Sequence, residues 1–333
     1  MPSGVPPPPL TAFPLDQVPD TLFGGVVAVG NFDGVHGGHR ALLSAARVEA
    51  TARGVPAVVL TFEPHPRTFF RPAAPVFRLT PLPAKARLLQ ALGIDGLVVV
   101  NFDRAFAAMP AAAFIEEILI GRLKLTAAVV GFNFHFGQGR GGSPALLTEA
   151  GARAGFPVAV VRAVDDEESG AAVSSSAIRE NLAAGDIAAA NARLGYRWFV
   201  VETVVPGDRR GRELGYPTAN LRLEPDCRLR HGIYSVRVQR ADGSLLDGVA
   251  SYGRRPTFDN GAAVLEVHVF DFDGDLYGET VFVTFIGWIR PELKFPSVAA
   301  LTAAMDRDAE AARAMLAAAG PGSRLDQVLA GLA

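Results

Sequence analysis

His36 and His39 stand three residues apart at the head of a segment that reads as a helix. They follow an apolar strand, Val26 to Val29, and a turn punctuated by Gly30 and Gly34. A strand that enters a helix through glycines leaves backbone N–H groups unpaired at the helix start, and the helix dipole makes that end attractive to phosphate. Two histidines at this spacing add ring donors to one helical face. Such a site suits transfer of a nucleotidyl group, in which charge builds on an α-phosphate and must meet donors already in place. The same pair also suits a metal ion or a wet surface. The preceding strand, the glycines and the unbroken helix are what favour phosphate.

Further along, Ser174, Ser175 and Ser176 precede Ala177, Ile178 and Arg179 and an amphipathic segment through Leu182. Serines there are N-cap signals, and the same hydroxyls with the forked guanidinium of Arg179 can grip β- and γ-phosphates. In the second half, Gly207 to Asn220 sets glycines among arginines, Arg212 included, and ends on Pro217-Thr218-Ala219-Asn220. The Thr218 hydroxyl and the Asn220 amide oxygen are hard ligands of the kind magnesium takes. This is not a Walker A loop, because no G-K-[ST] follows. In Leu265-Glu266-Val267-His268-Val269 the apolar residues share one face of a strand and leave Glu266 and His268 on the other. By pattern alone that polar face reads as solvated.

The elements that must position these groups alternate in the first half. Strands are expected at 56–62, 96–101, 127–131 and 158–161, with helices at 85–92, 111–120 and 144–154. Short connections between them predict a parallel sheet with helices on both faces, with ligands beyond the carboxyl ends of the strands. The Glu63-Pro64-His65-Pro66 run closes the second strand and begins a loop. After Asn191 the texture changes to strict alternation: Tyr234, Val236 and Val238 point one way and Ser235, Arg237 and Gln239 the other. Asp242-Gly243 and Asp273-Gly274 read as hairpin turns, so an antiparallel sheet or small barrel is expected, with a helix over 298–318. The expected organisation is a flexible Pro-rich tail over 1–20, a first domain over 21–193, a second over 194–320, and a C-terminal tail over 321–333.

The chain has 333 residues, enough for two domains, and its 32 Lys+Arg against 34 Asp+Glu give a net charge of -2. No basic field points to nucleic acid, and no apolar run approaches the ~20 residues of a membrane span. The single cysteine, Cys227, excludes an internal disulfide and a Cys-based zinc cage, consistent with a cytoplasmic location. The proline-rich start MPSGVPPPPL lacks a charged or an apolar signal region. Gly137 to Gly142 contains a literal G-x-G-x-x-G, which carries little weight alone. Its aromatic neighbours, Phe132, Phe134 and Phe136, would suit a flat ring better than a pyrophosphate. Asp271 to Asp275 imitates a calcium loop, but Gly274 is misplaced and Phe282 stands where the bidentate Glu belongs.

Five segments carry a family resemblance: G-N-F-D-G-V-H-x-G-H at 30–39, G-x-N-F-x-F-G at 131–137, S-S-S-x-I-R at 174–179, P-T-A-N at 217–220 and L-E-V-H-V-F-D-F-D-G-D-L-Y-G at 265–278. Together they resemble the prokaryotic bifunctional riboflavin kinase and FMN adenylyltransferase (FAD synthetase) family, from about Leu22 to Met315. The resemblance implies α/β architecture: an N-terminal doubly wound parallel-sheet HxGH nucleotidyltransferase domain, and a C-terminal antiparallel β-barrel kinase domain with a terminal helix. It implies riboflavin, FMN, FAD and ATP as substrates and products, with Mg2+. No nucleic acid or membrane partner is implied, and the oligomeric state is left open.

Residue by residue, the resemblance implies ATP binding in the first domain by Gly30, Phe32, Asp33, His36 and His39, together with Ser174, Ser175, Ser176 and Arg179. Asn133 would hold the flavin. In the kinase, Gly207, Arg212, Pro217, Thr218 and Asn220 would bind Mg-ATP, and Glu266 would be the base, with His36, His39 and Arg179 the catalytic groups of the other reaction. His268 reads as structural. Gly37 stands where the family carries a larger residue, and glycine weakens a first helical turn. Another HxGH transferase, acting on phosphopantetheine, is the first rival, and the P-T-A-N domain argues against it. A flavin-binding protein with decayed sites is the second, and the joint presence of the motif residues argues against that.

Overall fold

The computed structural model describes residues 10–162, 174–207, 215–254 and 263–331. Two compact units divide between Ser174 and Ser175.

The first unit is a six-stranded parallel sheet in the order β1-β4-β3-β2-β5-β6. Its strands are β1 Ala12–Pro14, β2 Val26–Val29, β3 Ala57–Glu63, β4 Gly96–Asn101, β5 Ala127–Gly131 and β6 Val158–Val161. Strand β2 is central, with Val29 in register with Leu60 on one side and Val130 on the other. Both alternating sets of its side chains are buried, as in a sheet covered on two faces. One face packs Val27, Val29, Leu60 and Val130 against Phe114, Ile118, Leu119 and Leu147. Helix α1, Gly37–Arg53, lies against β2, β3 and β5. It starts at Gly37 and runs unbroken to a left-handed cap at Gly54, with Leu42, Leu43, Ala46 and Ala50 buried. The strand order turns at β2, and that is where such sheets open a ligand crevice.

Three features depart from the expectations for this half. Ala12–Pro14, placed in the tail by composition, pairs in parallel with Leu97–Val99, and Phe13 packs on the core. Pro66–Phe70 forms a short helix, α2, where a loop was expected, because Pro66 suits the first helical position and His65 Nδ1 accepts from the Arg67 N–H. Beyond the short helix α4, Arg104–Ala107, the helix over 111–120 begins as α5 at Ala111–Ala113 but winds as a π-helix over Phe114–Arg122. Helices α3 (Leu82–Ala91) and α6 (Pro144–Ala154) lie close to the expected ranges, the latter ended by left-handed Gly155.

The second unit is an antiparallel barrel in the order β7-β12-β9-β10-β11-β8. Its strands are β7 Phe199–Thr203, β8 Ala219–Leu221, β9 Gly232–Gln239, β10 Leu245–Arg254, β11 Ala263–Val269 and β12 Thr280–Arg290. A bridge between Val205 and Asn220 brings β8 back to the chain just after β7 and closes the ring. Tyr234, Val236, Val238, Val283 and Phe285 fill the interior. The long terminal helix, Val298–Ala318, crosses β9, β10 and β12, where the Ser235 hydroxyl donates to the Ala312 carbonyl at 3.1 Å.

Two helices that precede the change of texture, α7 Ser175–Ala184 and α8 Ile187–Leu194, belong to this unit. The Arg230 backbone N–H donates to Leu182 and its guanidinium to Ala184, while the same guanidinium lies 4.2 Å over the Trp288 ring. Asn191 bridges the Phe285 carbonyl and the Trp198 N–H. We number the terminal helix α9, and α10, Arg324–Leu329, follows it inside the expected C-terminal tail. It carries a capping box of Ser323 and Asp326, and Asp326 accepts from the Arg197 N–H at 2.8 Å.

The turn at Asp242-Gly243 joins neighbouring β9 and β10, as expected, with Gly243 at φ 87°. Asp273-Gly274 is not a hairpin turn. It connects β11 to β12, which are not neighbours, because β12 lies between β7 and β9. The connection instead leans on the β9–β10 turn, where Glu279 accepts from Arg240 and from the Ala241 N–H.

Candidate active sites

The turn that carries the histidines is built from unusual backbone. Phe32, Gly34 and Val35 all have positive φ, of 49°, 85° and 39°. Such conformations persist in non-glycine residues only where the surroundings enforce them. Here Phe32 and Val35 are fully buried, and Thr80 ties the turn from outside. The Gly34 N–H donates to Thr80 Oγ1 at 2.9 Å, and the Thr80 N–H donates to Asp33 Oδ1 at 3.0 Å. Asp33 is therefore engaged in holding the turn, with only 4% of its surface exposed. At Gly30 a Cβ would come within 3.3 Å of the Phe32 ring, so glycine lets that ring sit across the strand end.

His36 occupies the N-cap position of α1, and its ring centroid lies 3.9 Å from that of His39. The His39 Nδ1 is buried without a hydrogen-bond partner. Burial first, and then the charges of His36, Lys85 and Arg40, hold the His39 imidazole well below its ordinary pKa. It is neutral near pH 7 and so offers one N–H and one lone pair.

Beneath the turn lies a polar cluster that sequence reasoning missed. Lys85 Nζ is 3.4 Å from both Thr61 Oγ1 and Glu63 Oε1, and Glu63 also pairs with Arg78 at 2.7 Å. The Thr61 hydroxyl donates to the Asn31 carbonyl, which links the cluster to the histidine turn. The available signal was the interruption of α3's apolar face: Lys85 and Arg87 are buried between Ala84, Ala86 and Leu88.

At the end of β5, Asn133 is exposed, with its Oδ1 close over Gly131. The aromatic lid is only partly as expected. Phe134 and Phe136 stack on each other at 5.3 Å and pack into the core, while Phe132 is 52% exposed. The G-x-G-x-x-G segment forms a tight turn closed by Phe136 and Gly142, with no strand-to-helix junction. Ser174 ends the first unit, and Ser175, Ser176 and Arg179 open α7 of the second, which is anchored by fully buried Ile178 and Leu182.

In the barrel, Leu265, Val267 and Val269 of β11 face inward. Glu266 and His268 face a cavity of about 650 Å³, together with Tyr216, Thr218, Arg290 and Asp308. Asn220 stands opposite Glu266 in the β8–β11 register. A Cβ on Gly207 would lie 2.3 Å from the Asn220 amide nitrogen, so glycine is needed where that side chain is seated. Pro217 follows Tyr216, whose hydroxyl donates to Asp306 of α9. Burial first, and that bond next, push the Tyr216 phenol up to about 12. Arg290 and Asp308 form a two-pronged pair at 2.7 and 2.5 Å across the cavity wall. Neither pair has a local sequence signal. Burial also raises the Glu292 carboxyl, His231 opposes the rise, and Glu266 adds to it. Arg212 lies outside the described residues, as do Arg255 to Phe258.

Among the described residues no cluster of three or more His, Cys, Asp or Glu could hold a metal ion. Thr218 and Asn220 offer neutral oxygens beside one carboxylate, a set that fits magnesium arriving with nucleotide phosphates rather than a resident metal cage.

The FAD synthetase family model matches residues 19–177, and the riboflavin kinase family model matches residues 194–316. A bifunctional riboflavin kinase/FMN adenylyltransferase of Haemophilus influenzae is 39% identical over 295 residues, 88% of this chain and 94% of its own. The protein of that description from Escherichia coli K12 is 40% identical over 299 residues, 90% of this chain and 94% of its own. Its Bacillus subtilis counterpart is 34% identical over 293 residues, 86% of this chain and 91% of its own. A crystal structure from Streptococcus pneumoniae, described as a macrolide-efflux protein, matches with a TM-score of 0.78 at 31% identity, covering 91% of this chain and 98% of that one. Among the described residues of the present chain, no helix is long and apolar enough to cross a membrane.

Proposed function

The chain belongs to the family of bifunctional riboflavin kinase/FMN adenylyltransferases, and from that premise we propose which residues carry each of its two reactions. The C-terminal unit phosphorylates riboflavin with ATP, giving FMN and ADP. The stretch matched by the FAD synthetase family, residues 19–177, transfers an adenylyl group from ATP to FMN, giving FAD and pyrophosphate.

In the kinase, Glu266 accepts the proton of the ribityl 5′-hydroxyl as the phosphoryl group is transferred. The observation that carries this assignment is the shared cavity: Glu266 and Thr218 line it, and Asn220 stands across the ladder from Glu266. A volume of about 650 Å³ is ample for a flavin-sized ligand. Thr218 and Asn220 hold Mg-ATP, with Gly207, Pro217 and, by the family resemblance, Arg212 contributing to the same nucleotide. Bound magnesium supplies charge neutralisation at the phosphates. Leu301, Met305 and Phe295 provide the apolar wall that the ring system needs.

In the adenylyltransferase no side chain acts as nucleophile, because the FMN phosphate is already anionic. The protein contributes alignment and donors. His36 and the neutral N–H of His39 meet the α-phosphate. Gly30, Phe32 and Asp33 shape the turn that presents them. Ser174, Ser175, Ser176 and Arg179 take the β- and γ-phosphates, and Asn133 takes the flavin nucleotide. The working partners are thus riboflavin, FMN, FAD and ATP. The proposed location is cytoplasmic, in keeping with a chain that has a single cysteine.

The deciding experiment is a time course with riboflavin, ATP and magnesium, the flavins being separated by chromatography. FMN is expected to rise before FAD. Riboflavin bound but unconverted by folded protein would reject the catalytic reading.

A further inference from the structure

The ladder between β8 and β11 pairs Leu221 with Leu265, Asn220 with Glu266 and Ala219 with Val267, and stops there. It cannot continue in the usual way, because Pro217 has no N–H to give. The chain is nevertheless held at that point, and by a side chain. His268 Nδ1 lies 2.9 Å from the Pro217 carbonyl oxygen. A carbonyl only accepts, so Nδ1 carries the proton and, in the neutral ring, Nε2 carries the lone pair. The ring packs against Tyr216, centroids 4.8 Å apart, and against Phe270 at 5.8 Å. Tyr216 is itself tied to Asp306 of α9. The tripeptide Tyr216-Pro217-Thr218 is therefore gripped from the barrel wall and from the terminal helix at once.

We propose that His268 is a positioning residue of the kinase, fixing the chain by its Pro217 carbonyl where the ladder ends so that the Thr218 hydroxyl and Asn220 amide present a preformed site to Mg-nucleotide. The inference rests on the kinase reading of this cavity. Its energetic effect belongs to nucleotide binding, because the contact is made on the loop and not on the reacting atoms.

Two measurements test it. In the protein without nucleotide, nitrogen-15 NMR of the His268 ring should show the Nδ1–H form in neutral and mildly alkaline solution. An Nε2–H ring would overturn the proposal. In kinetics, His268→Ala should raise KM for MgATP in riboflavin phosphorylation roughly fivefold, the loss expected for one neutral hydrogen bond, with kcat much less affected. Calorimetric affinity for MgADP should fall by the same factor. His268→Asn, whose amide N–H falls near the position of Nδ1, should recover most of that loss. An unshifted calorimetric transition of the barrel reports that each variant is folded there. An unchanged KM and affinity in the Ala variant, or an Asn variant no better than Ala, would remove His268 from this role. A wild-type protein that binds MgADP without phosphorylating riboflavin would count against the kinase reading alone, since the tautomer and the affinity would still report on the loop.

Discussion

His36 and His39 are carried on a turn with three residues of positive φ, locked by Thr80 and Asp33 and backed by the buried Lys85–Glu63–Arg78 cluster. Glu266 and His268 stand on a regular strand, and the face they occupy follows from alternation alone. In the parallel sheet both faces are covered, so the only place for polar chemistry is beyond the strand ends, where the backbone must be bent and then held. In the barrel the same strand that builds the wall can point a carboxylate at a ligand. The cost of positioning thus falls on long-range polar bonds in one unit and on simple pleating in the other.

If that contrast is right, the two reactions can be broken separately. The largest effect is expected from Glu266→Ala, which should lower riboflavin phosphorylation by about 10²–10⁴-fold while leaving FAD formation from supplied FMN intact. His36→Ala should do the reverse, with adenylyl transfer reduced by about 10²–10³-fold, the usual effect of removing a preorganised donor. Steady-state assays of each reaction on both variants decide this. Loss of both activities in a folded variant would contradict separate sites.

A smaller effect sharpens the comparison through stability. Arg290→Met leaves Asp308 charged and half of a buried pair, and should destabilise the barrel by about 3 kcal/mol. Calorimetry should show the barrel's transition moving down and the other staying in place.

The smallest effect is a difference in pH response. Folded His39 resists a proton that the unfolded chain accepts near 6.5, so the parallel-sheet unit keeps its full stability above that value and loses some as pH falls below it. Glu202 in the barrel is the opposite case. Burial first, and then Glu224, raise its carboxyl from 4.5 to about 7, so its contribution is fully present below 4.5 and is lost as pH rises through about 7. Between those limits the two transitions should shift in opposite directions, and Glu202→Gln should flatten the barrel's response. Transitions that move together would show that other groups dominate.

The histidine turn, the P-T-A-N segment and Glu266 were legible because each is a short run whose residue types imply its conformation: glycines for bends, a proline for a strand end, alternation for a face. The supports were not. Asp33 reads as a nucleotide ligand, but nothing local announces that Thr80, far along the chain, donates to its Oδ1. Lys85 looks like an ordinary solvated helix residue, and Arg290 and Asp308 have no periodic relation to one another. Pairings of this kind arise from the packing of distant elements and leave no local period to read. The same limit explains β1, too short to carry a pattern, and the 271–275 segment, whose polar residues mark a turn without saying which strands it joins.

Helices α7 and α8 lie across the gap between the two family matches, and Arg230 and Asn191 fasten them to the barrel. Any exchange of halves between related genes therefore has to keep α7 and α8 with the barrel they are fastened to, although Ser174 to Arg179 also carry the phosphate donors proposed for the first reaction. A crossover at Leu194 would part these helices from the Arg230 and Trp198 contacts with which they folded.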